Sequence, residues 1–174
     1  MTQAAHLATS TRTLSDTDFT VSINDRYFED YTPGAVYEYG HTTVTEKEIV
    51  EFAERFDPQP IHTDSNFATT GPFGGLIASG WHSAGILMRL FADHYLSRVA
   101  SLASPGVDEL RWATPLRPGD SLRLRTTIVE ARRSRSKPDR GLVHTKAELI
   151  NQDDQTVLQL IAMNILRSRE AGDS

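Results

Sequence analysis

A chain of 174 residues with a formal charge of -5 and no cysteine reads as one domain with a core of its own. Disulfide staples and thiolate metal sites are ruled out, which fits a reducing compartment, and the acidic balance argues against a nucleic-acid surface. No apolar run reaches membrane-spanning length, and the N-terminus lacks the charged-then-apolar order of a secretory signal, so a cytoplasmic protein without membrane contact is expected.

Residues 1–26 are rich in Thr, Ser and Ala with no hydrophobic period and read as a flexible tail; Asp16 and Asp18 speak against a transit peptide. The folded domain is expected over 27–168, with a short second tail at 169–174. Pro33-Gly34 marks a turn, and the Val, Tyr and Thr of Val36 to Val44 predict a strand. Thr45-Glu46-Lys47-Glu48 has the spacing of a capping box. Ile49, Phe52, Ala53 and Phe56 follow on one helical stripe, so a helix is expected over 45–56. Asp57-Pro58 ends it, because proline disfavours helical geometry in the residue before it. Asp57 then sits at the helix C-terminus, where the macrodipole is expected to push its pKa upward.

The next stretch, Asp57-Pro58-Gln59-Pro60-Ile61-His62, places an acid and an imidazole five positions apart, with prolines expected to keep the chain between them out of a helix. A Gly-rich turn through Gly71-Pro72-Phe73-Gly74-Gly75 leads to Leu76-Ile77-Ala78-Ser79-Gly80-Trp81. A second helix is expected from Trp81 to Leu96, apolar almost all round and therefore buried. The N–H of Gly80 lies where that helix begins, free to face developing negative charge. Acid, base and donor together are the parts of a site that adds or removes water beside a carbonyl. After Pro105-Gly106, strands are expected at 108–113, 121–132, 141–151 and 156–167. They are separated by turn-rich connectors, so an antiparallel sheet on one buried helix follows.

Each residue also has a plainer reading. Asp57 alone could be a turn former before proline. His62 with Asp64 could bind a metal, but no third ligand converges, so no metal site is assigned. Ser79 lacks a Gly-x-Ser-x-Gly frame and reads as a helix cap rather than a nucleophile. His41, His82, His94 and His144 read as surface or packing residues. Arg132, Arg133, Arg135, Lys137 and Arg140 surround one hairpin; they could attract phosphates or simply be a solvated turn.

Asp57-x-Gln59-Pro60-Ile61-His62 followed by Gly74-Gly75-Leu76-Ile77-Ala78-Ser79-Gly80 resembles the active-site segment of MaoC-like dehydratases and (R)-specific enoyl-CoA hydratases. Phe28-Glu29-Asp30 with Pro33-Gly34, and Arg111-Trp112-x-x-Pro115-Leu116-x-Pro118-Gly119-Asp120, are similar to other parts of that family. The resemblance runs from about Tyr27 to Arg167. It implies an α+β hot-dog fold, a curved antiparallel sheet around a long central helix. It also implies reversible addition of water to a trans-2-enoyl thioester, giving a (3R)-3-hydroxyacyl product. Asp57 and His62 would be the catalytic pair and the Gly80 N–H the oxyanion donor. Gln59, Pro60, Phe73, Gly75, Ser79 and Trp81 are the candidate substrate contacts. No cofactor is implied beyond coenzyme A within the acyl-CoA substrate, and the partner expected is a second copy of the chain, as a homodimer or higher homo-oligomer. Three positions depart from the family pattern: Gln59 replaces an Asn, Phe56 a small residue, and Met88 a polar one. Two other functions share the architecture, an acyl-CoA thioesterase and a non-catalytic acyl-thioester binder.

Overall fold

The computed structural model describes residues 12–14 and 17–169. Six strands form one antiparallel sheet: β1 (Arg12–Thr13), β2 (Val36–Thr43), β3 (Ser101–Trp112), β4 (Ser121–Arg133), β5 (Arg140–Ile150) and β6 (Thr156–Arg167), in the order β1-β2-β4-β5-β6-β3. Inward and outward residues alternate along β4, β5 and β6, so one face is apolar and needs a cover. Helix α4 (Gly80–Leu90) supplies it, continued by a π-helical turn over Phe91–Tyr95. Ile86, Leu87, Leu90, Phe91 and Tyr95 are buried in one core with Leu124, Ala147, Leu149 and Leu158. This is the hot-dog architecture.

Helix α1 (Glu46–Phe56) starts at the expected capping box. The N–H of Glu48 donates to Thr45 Oγ1 at 3.2 Å, and the N–H of Thr45 donates to the Glu48 carboxylate at 2.8 Å. Between α1 and α4 lie two short helices, α2 (Pro60–Thr63) and α3 (Ser65–Thr70). The expectation that the prolines keep this stretch out of a helix is corrected at Pro60, which is the first residue of α2. There its missing N–H costs nothing, because that position has no intrahelical acceptor.

Pro105-Gly106 does not precede the strand region but lies inside β3, where the register against β6 shifts between Ala103 and Gly106. Nor is α4 buried all round: Trp81 is 60% and Met88 48% exposed. Both stand beside β3, the last strand of the sheet, whose residues are nearly all exposed.

Of the segment read as a tail, 17–26 packs on the body. Phe19 stacks on Tyr37 at 4.3 Å between ring centroids, and the buried Arg26 donates to the carbonyls of His94 and Tyr95. Arg12–Thr13 also leaves the tail, pairing with β2 as β1, and Arg169, the first residue of the second tail, is ion-paired with Asp25 and Asp30; residues 1–11, 15–16 and 170–174 lie outside the described residues. Among those described, no helix is long and apolar enough to cross a membrane.

Candidate active site

Asp57 caps the C-terminus of α1, its N–H donating to the Ala53 carbonyl at 2.8 Å. The N–H of Gln59 returns to the carbonyl of Asp57 at 2.7 Å. This tight turn starts α2 at once and delivers His62 one turn later, 5% exposed. The ring is fixed from behind. Nδ1 of His62 lies 2.9 Å from the Ile77 carbonyl, and a carbonyl only accepts, so Nδ1 carries the proton and Nε2 of the neutral ring presents a lone pair. That Nε2 is 3.5 Å from Oδ2 of Asp57. This is long for a direct bond and short enough for one water molecule to bridge the two atoms.

The segment before α4 is pinned on both sides. Ile77 donates to the Ile61 carbonyl and Ala78 to the Leu116 carbonyl, which brings Ser79 beneath Asp57. The Ser79 hydroxyl donates to Asp57 Oδ2 at 2.6 Å, and Gln59 Nε2 donates to Oδ1 at 2.7 Å. The Ser79 bond first, and the Gln59 bond second, hold the Asp57 carboxyl below the usual carboxylate range, with His62 acting in the same direction. The upward shift expected from the macrodipole is thus corrected: two donors on one carboxylate outweigh a partial charge in the last helical turn.

Asp57, Gln59, His62 and Gly80 line a cavity of about 460 Å³, walled by Phe73, Ile77, Trp81, Trp112 and Pro115. Gly80 stands at the first position of α4, where a backbone N–H has no intrahelical acceptor. Trp112 lies against it: its indole N–H donates to the Gly80 carbonyl at 2.8 Å, and a Cβ on residue 80 would fall 2.5 Å from the indole. Only glycine permits this approach. Trp81 meets Trp112 edge-on, with centroids 5.4 Å apart, and on its other side borders an apolar groove of about 410 Å³ between α4, β3 and β6 that Met88 also lines.

Of the expected substrate contacts, Gln59, Phe73 and Trp81 reach the cavity wall. Pro60, Gly75 and Ser79 stand outside it; Ser79 is fully buried and its hydroxyl is spent on Asp57. Trp112 and Pro115 are wall residues that lie outside the stretch from Asp57 to Trp81. Their signal was the Arg111-Trp112-x-x-Pro115 motif, read for the fold and not for the site. Asp64, the second half of the metal reading, caps α3 by accepting from the N–H groups of Asn66 and Phe67. Of the other histidines, His82 is buried face to face on Phe52, and His144 bonds Glu130 at 2.8 Å. In the basic hairpin, Arg132, Arg133 and Arg140 engage Glu130, Glu29 and Asp139.

The sequence profile of the MaoC like domain matches residues 29–149. The uncharacterized protein YdeM of Bacillus subtilis is 28% identical over 132 residues, 75% of this chain and 92% of that protein. The 3-hydroxyacyl-thioester dehydratase Z of Mycobacterium tuberculosis is 34% identical over 89 residues, 50% of this chain and 59% of that enzyme's length. Among solved structures, the MaoC-like dehydratase from Rhodospirillum rubrum superposes with a TM-score of 0.78 at 36% identity, covering 83% of this chain and 99% of the other.

Proposed function

This chain belongs to the MaoC-like domain family, and on that premise we propose that it is a hydratase/dehydratase of 2-enoyl thioesters, adding water reversibly to give a (3R)-3-hydroxyacyl thioester. The observation that carries the reading is the 3.5 Å approach of His62 Nε2 and Asp57 Oδ2 in a cavity that also exposes the start of α4. A water held between the two side chains gives up one proton to the pair as its oxygen bonds to the β carbon. The double-bond electrons move toward the thioester carbonyl, whose oxygen accepts from the Gly80 N–H. The proton then passes to the α carbon, so that hydrogen and hydroxyl arrive on one face and the pair is restored.

The thioester head sits in the cavity beside Gly80, facing Asp57 and His62, and the acyl chain runs past Trp81 into the apolar groove. Coenzyme A is the carrier proposed. The same groove and the exposed strand β3 suit a second copy of the chain, since a long unpaired edge beside apolar side chains is stabilised by pairing. The working unit is a homodimer with the acyl chain near the subunit boundary.

The test uses crotonyl-CoA, following loss of the conjugated thioester absorbance and release of thiol together. Hydration without thiol is expected, and Asp57→Asn and His62→Ala each lower the rate at least about a hundredfold. Thiol release instead identifies a thioesterase, and binding without turnover a carrier or sensor of acyl thioesters. Near-normal hydration by either variant removes the assignment of the pair.

A further inference from the structure

The Ser79 hydroxyl has one proton and two bonds to satisfy. The backbone N–H of Trp81 donates to Ser79 Oγ at 3.3 Å, which makes the hydroxyl an acceptor there and frees its single proton for Asp57 Oδ2 at 2.6 Å. Ser79 is fully buried, so that proton has no water to turn to. Were Oδ2 protonated, the carboxyl would have to donate to Oγ, and the serine proton would be left buried without an acceptor, which is unfavourable. The opposite oxygen is engaged likewise by Gln59. On the far side, Nε2 of His62 has a lone pair, and the Nδ1–H that fixes it is held by a backbone carbonyl.

We propose that Ser79 is a positioning residue for the acid/base pair: its hydroxyl keeps Asp57 ionised as the group that orients the water, and leaves His62 Nε2 to carry the proton in both directions. This rests on the hydratase reading and divides the labour within it. Nε2 accepts the proton that water loses as the oxygen–carbon bond forms. It returns that proton to the α carbon as the enolate collapses, and ends neutral, while Asp57 stays an anion throughout beside the transient imidazolium. The groups acting on Asp57 are Ser79 at the start of α4, Gln59 in the turn, and His62 of α2, the only titratable one of the three. Trp81 is joined to the same hydroxyl, so the helix that presents the Gly80 N–H and the carboxylate that orients the water are set by one side chain.

Ser79 is also the N-cap of α4, and two substitutions separate that role from the one proposed. At an N-cap, Ser→Ala is costly and Ser→Gly nearly neutral, whereas both remove the donor to Asp57 equally. The expected result is that Ser79→Ala and Ser79→Gly lose about tenfold to a hundredfold in kcat/KM alike. The acid limb of the pH profile moves upward by about one unit in both, the scale of a lost hydrogen bond to a charged group. A glycine variant that behaves as wild type, or profiles that do not move, overturns the proposal. Carbon-13 NMR titration of the Asp57 carboxyl in the wild-type protein and Ser79→Gly needs no substrate: an unchanged midpoint refutes the role of Ser79 directly. A raised midpoint in a protein that does not hydrate enoyl thioesters retains Ser79 as the group that ionises Asp57 and discards the reaction.

Discussion

Single atoms decide how the candidate site can work, and Gly80 is the clearest case. It lines the cavity from the first position of α4, and its missing side chain is what lets the Trp112 indole close on the helix start. Gly80→Ala therefore displaces the indole, with a stability loss of about 1–3 kcal/mol. Trp112→Ala relieves the clash while giving up its own packing. Denaturant unfolding of the two single variants and the double variant should show a double that loses less than the sum of the singles, with a coupling above about 0.5 kcal/mol. Strict additivity would mean that the two residues do not press on one another. Asp57 carries the complementary lesson. Its position after α1 and before Pro58 was legible from the sequence, but the direction of its pKa was not. The macrodipole is a local effect that sequence exposes, whereas the Ser79 donor arrives from the far end of an intervening pair of helices.

Elements behave as their end signals dictate. The Thr45–Glu48 box, the stripe through Ile49 and Ala53, and the alternation of β4, β5 and β6 are local patterns, and each gives the element expected. What fails is punctuation: Pro60 opens a helix and Pro105-Gly106 is absorbed as a register shift in β3, because proline at a first turn or a strand irregularity loses no needed bond. The contact between α1 and α4 supplies a pH dependence of its own. His82 of α4 lies parallel to Phe52 of α1, with centroids 4.7 Å apart. Burial lowers its pKa, against the opposing pull of Glu48. A folded-state value below the unfolded one means that, as pH falls past about 6.5, the unfolded chain takes the proton first and stability is lost on the way down to the folded value. The melting temperature should fall between about pH 7.5 and 5.5, and His82→Phe, which keeps the stack, should show a smaller drop. An identical drop in the variant assigns the effect elsewhere.

At the scale of the molecule, the sheet is closed on its inner face by α4 but open along β3, where Leu102, Val107 and Trp112 are 37%, 50% and 48% exposed. Light scattering is expected to give twice the chain mass, and Val107→Lys, a charge of the kind that protects sheet edges, to shift it toward the monomer. A monomeric wild-type protein rejects the pairing. The hot-dog plan itself was legible from strand period, turn chemistry and one apolar helix, but the two open flanks of that helix were not, since apolar composition does not say whether a residue meets its own core or another chain. One consequence lies in how the cavity is assembled. The acid, the imidazole, the serine and the helix amide all come from one short contiguous stretch, while Trp112 and Pro115 arrive from the end of β3 and the loop behind it. On the proposed function, the groups that handle the proton are therefore inherited on one piece of the gene while part of the pocket wall is inherited on another: drift in the β3 exit can reshape that wall while the machinery that handles the proton stays untouched.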